Sequence, residues 1–449
     1  MKKILMNGIV TSLVLCVMAL GLSVVEVCAA TPGFNIHEMS DMSDFDPNTF
    51  ENPTGDTIKL GLMNIFSGPG AGNGEIYWLV CTWIAYDMNK RGGILVDGKK
   101  KQLEIIKGDT QGKPASCKKI AERLCLEEKV DILWGTTGSH LALIIQNVAK
   151  KYKRIFVNVL ALSDGLMDGK NFNRYTFRTM LNTSMHGLAA AYYCSTRPEK
   201  KYYILCQDYL FGHDMAEGFI KGLKRYAPDV EIVGQEYHPL FLKDFAPYIT
   251  KIMGSGAEVV YTADWLPDSG NLLKQSRDLG MKLPFVNLFM DEPNSLAGVG
   301  PEGTKGLIHV NQFLCAPDTP EKALWLKKWN DQWKNKWTKP YDTPLYKWNS
   351  GTIGATLSQT YWLMDVVKRA GSTKPDKIIK IWEGDVWNSI VGPLTMRACD
   401  HQAVMDHYAT VYTHPNVWYD EMSNAGEVVV IPAKYCTPPM PEDLDRCKK

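Results

Sequence analysis

The residues best placed to bind a ligand lie in one short stretch, Gly135-Thr136-Thr137-Gly138-Ser139-His140. The largely apolar residues 130–134 before it predict a buried strand, and apolar side chains at helical spacing follow it as far as Tyr152. A helix start presents unpaired backbone N–H groups and a partial positive charge, which suit a ligand carboxylate. The alternative is an ordinary strand-to-helix turn with Ser139 as N-cap.

A glycine-rich segment, residues 68–74, also follows a predicted strand and precedes a helix. A dinucleotide-binding loop there would need the spacing G-x-G-x-x-G. The last position of that motif falls on Asn73 or Glu75, and Asp109 lies beyond the place of a ribose-binding acid. The segment is therefore interpreted as a flexible turn at the rim of a cleft.

Other catalytic and metal-binding signatures are missing from the sequence. It contains no phosphate-binding loop, G-x-S-x-G motif, H-E-x-x-H motif or paired C-x-x-C motif. His401 and His407 flank Asp406, but a solvated strand or loop explains this trio better than a metal site does. We therefore expect no catalytic residue, no cofactor and no metal. An α/β oxidoreductase with a nucleotide in its cleft is the weaker interpretation.

Composition and targeting indicate an exported protein. The chain has 449 residues, and 50 Lys and Arg against 49 Asp and Glu leave a net charge of +1, which does not favour nucleic acid as a partner. Two lysines precede an apolar run at 9–25, and small residues follow at Val27-Cys28-Ala29. This pattern is typical of a signal peptide cleaved near Ala29 or Ala30. We expect a soluble periplasmic protein without direct membrane insertion of the mature chain.

Cysteine usage fits export. Two of the 11 cysteines leave with the signal peptide, so the mature chain has an odd number and at least one thiol free or bonded to another molecule. Three cysteines lie in the loop-rich C-terminal part, where disulfides are most useful: Cys399, Cys436 and Cys447. Three others fall inside apolar patterns and are interpreted as buried thiols: Cys81, Cys125 and Cys206.

Strands and helices alternate through most of the chain. Residues 31–57 hold six acidic residues and no Lys or Arg, and are interpreted as a flexible arm. From Ile58 onward, two α/β units of similar size are followed by a helical stretch from Pro320 to Ala370 and a strand-rich tail. This alternation predicts two lobes, each with a parallel sheet and crossover helices, that face a cleft.

Four tryptophans recur at every fourth position of one Lys-rich helix: Trp325, Trp329, Trp333 and Trp337. This spacing drifts by about 40° per step, so the rings form a slanting stripe. Core packing is the preferred explanation, and a docking face for a membrane partner is the alternative.

A series of short motifs follows in order along roughly residues 58–395. The motifs are Ile58-Lys59-Leu60-Gly61 with Ser67-Gly68-Pro69, Asn89-Lys90-Arg91-Gly92-Gly93-Ile94, Asp109, Phe177-Arg178-Thr179, Asp208-Tyr209-Leu210-Phe211-Gly212, Gln275-Ser276-Arg277-Asp278-Leu279-Gly280 and Gly392-Pro393-Leu394. The series resembles the type I periplasmic solute-binding proteins of ABC transporters, of the leucine/isoleucine/valine-binding family.

The resemblance implies an α/β fold of two Rossmann-like doubly wound lobes joined by a three-strand hinge. The expected divisions are a signal peptide at 1–30, a flexible acidic arm at 31–57, a first lobe at 58–178 plus 312–390, a second lobe at 179–311 plus 391–435 and a C-terminal tail at 436–449. It also implies a monomer that closes on a small-molecule ligand and meets the membrane subunits of an ABC permease. A ligand-sensing receptor ectodomain is a weaker alternative.

The resemblance also implies the ligand contacts. These are Asn73, Ser139, His140, Leu160, Ala161, Leu162, Phe211, Trp265, Phe289 and Asp291. Two carboxylate-binding serines of the family fall on Ser139 and His140, whose imidazole could donate through a ring N–H. A threonine of the family is lost at Leu162, and Ser163 is a neighbouring substitute.

The largest departure concerns the acid that would hold an amino acid's ammonium. In ungapped register this acid falls on Phe289. A buried ammonium without a counter-charge is costly, so the sequence favours an apolar or aromatic ligand that bears a carboxylate or an amide. The alternative is a standard branched-chain amino acid whose ammonium is held by Asp291.

Overall fold

The computed structural model describes residues 31–333, 337–343, 346, 351–413 and 425–448. The expected signal peptide lies outside the described residues. The strands are β1 (Ile58–Asn64), β2 (Ile94–Val96), β3 (Lys99–Lys101), β4 (Leu103–Asp109), β5 (Ile132–Gly135), β6 (Ile155–Asn158), β7 (Thr176–Arg178), β8 (Lys201–Gln207), β9 (Glu231–His238), β10 (Val259–Tyr261), β11 (Phe285–Asn287), β12 (Ile308–Asn311), β13 (Val386–Ser389), β14 (Gly392–Met396), β15 (Ala403–Val404), β16 (His407–Val411) and β17 (Val429–Ile431).

The helices follow the same alternation. They are α1 (Ala71–Lys90), α2 (Pro114–Leu126), α3 (Ser139–Tyr152), α4 (Thr183–Cys194), α5 (Leu210–Tyr226), α6 (Ala246–Gly254), α7 (Asp268–Asp278), α8 (Pro293–Ala297), α9 (Gly300–Thr304), α10 (Pro320–Trp333), α11 (Gly351–Ala370), α12 (Pro375–Trp382) and α13 (Ala433–Cys436). Among the described residues, no helix is long and apolar enough to cross a membrane.

The first lobe is built on a five-stranded parallel sheet in the order β4-β1-β5-β6-β7. All residues of β5 and β6 are buried, as expected for strands covered by helices on both faces. The carboxyl ends of these strands share one edge of the sheet, so the turns after β1, β5 and β6 meet there.

The second lobe has a seven-stranded sheet in the order β17-β16-β12-β11-β10-β8-β9. The five strands from β8 to β12 are parallel, β16 pairs antiparallel to β12, and β17 pairs antiparallel to β16. The predicted α/β class with two doubly wound lobes is therefore confirmed. The antiparallel strands come from the tail that the sequence predicted to be strand-rich.

The chain leaves the first sheet after β7, enters the second sheet at β8, leaves it after β12 and rejoins it at β16. The ends of β7 and β12 lie close to the expected boundaries at 178 and 311. The return at β16 differs from the expected boundary at 390, because β13, β14 and β15 form a separate small sheet and β16 is the first strand to rejoin the second lobe. Gln402 of the small sheet bridges to Arg178 of β7, which keeps this sheet beside the first lobe.

The segment expected to be a flexible acidic arm packs against the first lobe. Ile36, Met39, Met42 and Phe45 are buried in it, and the Ser40 N–H donates to Asp87 of α1 over 2.7 Å. Composition alone suggested disorder, because the few apolar side chains are widely separated among acids. Their common burial depends on surfaces supplied by distant segments.

The tryptophan stripe is part of the core. Trp325, Trp329 and Trp337 are at most 3% exposed, and Trp333 is half-buried. The Trp83 ring of α1 lies 5.4 Å from Trp325 and 5.6 Å from Trp329, centroid to centroid. Core packing thus accounts for the stripe.

One disulfide joins Cys399 to Cys447 and closes the C-terminal tail onto the small sheet. Cys436, the third cysteine expected to be useful there, is a buried thiol beside the His407 ring. Among the described residues, five further cysteines are buried thiols: Cys81, Cys117, Cys125, Cys194 and Cys206.

Candidate ligand-binding site

A cavity lies between the two lobes, where the carboxyl ends of their strands face each other. It encloses about 400 Å³ of space between atoms, part of which is open to solvent. Its lining residues are Asn73, Thr137, Gly138, Ser139, Leu160, Ala161, Leu162, Tyr209, Phe211, Trp265, Phe289, Glu292 and Thr352. The structure therefore brings together all of the implied ligand contacts except His140 and Asp291.

The start of α3 forms one polar end of the cavity. Gly138, not Ser139, is the N-cap residue, and no side chain caps the helix within the described part of the chain. Gly135 has a φ of 146°, and a Cβ there would lie 2.1 Å from the Met63 carbonyl oxygen, so only glycine fits this turn. The Leu141 N–H donates to the Gly138 carbonyl oxygen over 3.1 Å, so within the described part of the chain the Ser139 and His140 N–H groups remain for an anion.

Two hydroxyl groups accompany these N–H groups. Ser139 is 1% exposed, and its Oγ accepts a hydrogen bond from the Ser163 N–H over 3.2 Å, which leaves its own proton to donate to a ligand. Thr137 Oγ1 is buried without a hydrogen-bond partner among the described residues. Ser163, expected as a substitute for a lost threonine, is absent from the cavity lining because its hydroxyl donates to Asp214 instead.

His140 lies at the rim rather than in the cavity. It is exposed, and its ring stands perpendicular to the Tyr209 ring of the second lobe at a centroid distance of 6.3 Å. Desolvation lowers the pKa of its imidazole, opposed by a hydrogen bond with the Gly112 backbone, so this group is mainly neutral at pH 7. Ser139 is the first residue of α3 and lines the cavity. His140 is the second, and its side chain points sideways from the helix start, so it does not enter the cavity.

Aromatic and aliphatic side chains form the middle of the cavity. The second lobe supplies Tyr209, Phe211, Trp265 and Phe289, opposite Leu160 and Leu162 of the first lobe. The Trp265 indole N–H donates to Tyr209 Oη over 2.9 Å, which fixes the plane of the indole. These walls suit an apolar or aromatic group in a ligand.

The opposite polar end contains an acid, but not the expected one. Asp291 Oδ2 accepts from the Gly351 N–H over 2.5 Å and lies 3.3 Å from His309 Nε2, so Asp291 serves the start of α11. Glu292 lines the cavity instead and is 3% exposed. Its Oε2 and the Thr352 Oγ1 have no hydrogen-bond partner among the described residues. Burial, with the nearby Asp291 charge, raises the pKa of Glu292.

Known proteins share this architecture and part of this sequence. A sequence model described as periplasmic binding protein matches residues 57–414, most of the chain. The chain belongs to the periplasmic binding protein family. A relative named Leu/Ile/Val-binding protein homolog 4, from Brucella melitensis biotype 1, is 24% identical over 77% of this chain and 82% of its own length. For the relative of the same name from Brucella abortus, the match covers 59% of this chain and 62% of the relative.

Two solved structures are similar in fold to this periplasmic binding protein. The leucine-, isoleucine-, valine-, threonine- and alanine-binding protein from Brucella ovis, in its closed conformation, has a TM-score of 0.73 and 20% identity over 87% of this chain and 98% of that one. A solute-binding protein of an ABC transporter from Rhodopseudomonas palustris HaA2, in complex with p-hydroxybenzoic acid, has a TM-score of 0.72 and 22% identity over 88% and 100%.

Sequence reasoning missed five residues that line the cavity of this periplasmic binding protein: Thr137, Gly138, Tyr209, Glu292 and Thr352. Thr137 and Gly138 lie in the stretch already singled out, and Tyr209 stands two residues before Phe211 on one turn. The family's acid falls on Phe289 in ungapped register, and Glu292 lies three residues further on. Only an alignment with an insertion in the loop after β11 could have assigned that acid to Glu292. No sequence pattern around Thr352 marked it as a cavity residue.

Proposed function

We propose that this protein is the extracytoplasmic substrate-binding component of an ABC transporter of the branched-chain amino acid type. It captures a small ligand as its lobes close and delivers the ligand to the permease membrane subunits, and it works as an exported monomer. The observation that supports this proposal most strongly is the cavity, whose walls come from both lobes. A ligand that contacts both walls stabilises the closed arrangement over the open one.

The chemistry of the walls supports a particular class of ligand. The start of α3 with Ser139 suits a carboxylate or an amide oxygen, and the aromatic middle suits an apolar or aromatic body. At the far end, Glu292 and Thr352 suit a hydrogen-bond donor. The proposed ligand is therefore a small apolar or aromatic carboxylate or amide. The end opposite its carboxylate or amide carries a hydrogen-bond donor.

A standard branched-chain amino acid is the second candidate. The names of the Brucella relatives favour it, whereas the p-hydroxybenzoic acid bound to the Rhodopseudomonas protein favours an aromatic acid. Asp291 does not face the cavity, so its assignment to the ammonium is replaced by Glu292. The argument that no acid remains for an ammonium therefore no longer excludes this candidate.

Mass spectrometry of ligand released from the purified protein, followed by calorimetry with leucine, isoleucine, valine, benzoate and 4-hydroxybenzoate, tests the proposal. We expect binding of at least one of these compounds, weakened about tenfold by Ser139→Ala because a hydrogen bond to a charged group is lost. Ser195→Ala, at an exposed position after α4, is the control and leaves binding unchanged. Tight binding of NAD without binding of any small carboxylate would overturn the proposal.

A further inference from the structure

Ser163 engages three different parts of the molecule through its three polar groups. Its backbone N–H donates to Ser139 Oγ over 3.2 Å, its carbonyl oxygen accepts from the Arg178 guanidinium over 2.6 Å, and its hydroxyl donates to Asp214 Oδ2. Ser163 is fully buried, so water does not compete for these bonds. One residue thus connects the carboxylate end of the cavity, the hinge and the second lobe.

The hinge side of this junction is rigid. Arg178, at the end of β7, is 1% exposed and donates through Nη1 to the carbonyl oxygens of both Leu162 and Ser163. Its Nε donates to Gln402 Oε1 over 2.5 Å, across the bridge between β7 and the small sheet. The carbonyl oxygens of Leu162 and Ser163 are therefore held from the hinge, whereas the Ser163 hydroxyl is not.

The other side of the junction depends on the second lobe. Asp214 lies in α5, one turn after Phe211, and is absent from the cavity lining. Its carboxyl is half-buried, and this burial, with the charges of Asp164 and Glu217, raises its pKa. Among the described residues, the bond from Ser163 ties this carboxyl to the first lobe. The direct route from Asp214 to the carboxylate end of the cavity therefore runs through Ser163.

We infer that Asp214 is a positioning residue that couples closure of the second lobe to the carboxylate end of the cavity. In the closed form, Asp214 accepts the Ser163 hydroxyl and fixes the turn. The Ser163 N–H then occupies a lone pair of Ser139 Oγ, so the Ser139 proton is directed to the ligand. The inference rests on the proposed function, because it requires a carboxylate ligand at Ser139.

Ligand release is the first readout. With L-leucine and 4-hydroxybenzoate as probes, we expect Asp214→Ala and Ser163→Ala each to raise the dissociation rate about tenfold, since a hydrogen bond to a charged group is lost. The double variant should release ligand no faster than either single variant, because the two residues act through one bond. Asp229→Ala, which removes an exposed carboxylate paired with Lys200 shortly after the same helix, is the matched control without effect.

Hydrogen exchange in the protein without added ligand is the second readout. Asp214→Ala should speed exchange in peptides covering residues 160–164, and Asp229→Ala should not. An unchanged release rate in Asp214→Ala, or additive effects in the double variant, overturns the inference, as does unchanged exchange. If the wild-type protein binds neither probe, the ligand proposal fails, and the exchange comparison still decides whether Asp214 orders the turn.

Discussion

Two neighbouring acids, Asp291 and Glu292, differ completely in their surroundings. Asp291 is occupied by the Gly351 N–H at the start of α11, whereas Glu292 faces the cavity with an oxygen that no described residue contacts. A carboxyl that is buried without a cation prefers its neutral form, and the pKa of Glu292 is raised accordingly. A ligand ammonium would reverse this preference, so we expect Glu292 to distinguish an amino acid from an amine-free acid.

Glu292→Gln separates the two ligand classes. It should weaken binding of an ammonium-bearing ligand by about tenfold or more, because a charged hydrogen bond is lost, and change binding of an amine-free carboxylate by less than about threefold. In the wild type, ammonium binding requires ionised Glu292, so affinity should rise as the pH rises through its raised pKa. Calorimetry over a pH series measures both effects, with exposed Glu302→Gln as control. Equal losses for both ligand classes would contradict this role.

Trp265 is the aromatic residue expected to contribute most to binding. It is 7% exposed in the cavity wall, and its indole plane is fixed by Tyr209. Trp265→Ala should weaken ligand binding by roughly 2–4 kcal/mol, as for a central aromatic anchor. Tyr209→Phe removes only the hydrogen-bond acceptor and should cost less. Calorimetry measures the loss, and an unchanged affinity in Trp265→Ala would remove this residue from the site.

At the scale of elements, the segment before β1 acts as a strap across the first lobe. It contacts α1 through Ser40, the end of the small sheet through Gly33, and β4 through Asn52, whose side chain bonds Ile105 in both directions. The Trp337 indole N–H donates to the Phe45 carbonyl oxygen over 2.9 Å. The strap and the tryptophan stripe therefore cover the same helix, α1, and stabilise each other.

Phe45→Ala tests the strap. Phe45 is 1% exposed and packs edge-on against Tyr86 and Trp337. Removing a fully buried phenylalanine ring should lower the free energy of unfolding by about 3–5 kcal/mol. Urea unfolding measures the change, and Glu51→Ala, at an exposed position of the same segment, is the control. A loss below about 1 kcal/mol would show that the strap does not stabilise the fold.

At the scale of the whole molecule, the C-terminal tail returns to the hinge. The Cys399–Cys447 disulfide holds it there, and the Arg446 guanidinium and the His401 ring both bond Glu383. The His401 ring in turn stacks on Phe177 of β7 at a centroid distance of 4.0 Å. The tail thus packs beside a strand that carries the chain between the lobes.

This cluster predicts an acid-dependent stability. The hydrogen bond from His401 and then that from Arg446 lower the pKa of Glu383 to about 2. A carboxyl whose pKa falls on folding stabilises the protein above its unfolded pKa, near 4.3, and this contribution is lost as the pH falls through about 2. The difference in unfolding free energy between wild type and Glu383→Gln should be constant between about pH 7 and about pH 5 and vanish near pH 2.

Chemical denaturation at each pH measures that difference. Glu442→Gln, at an exposed position of the same tail, should show no such pH-dependent difference from wild type. A gap between wild type and Glu383→Gln that persists unchanged at about pH 2 would mean that the glutamine disturbs packing rather than the charge of the cluster.

Local sequence patterns determined the elements and their order. Apolar runs and helical spacing depend on neighbouring residues, so the alternation of strands and helices could be predicted, and with it the α/β class. The helix start pointed to Ser139, whereas the aromatic walls were expected only from the resemblance to the leucine/isoleucine/valine-binding family.

Tertiary structure decided what depends on contacts between distant segments. Whether Asp291 or Glu292 faces the cavity follows from the length of one loop and from where α11 begins. The strap is ordered because α1 and the tryptophan helix supply surfaces for four scattered apolar side chains. The bond from Ser163 to Asp214 joins a turn of the first lobe to a helix of the second. No local pattern contains these contacts, since each joins residues that the chain separates by a helix, a strand or a whole lobe.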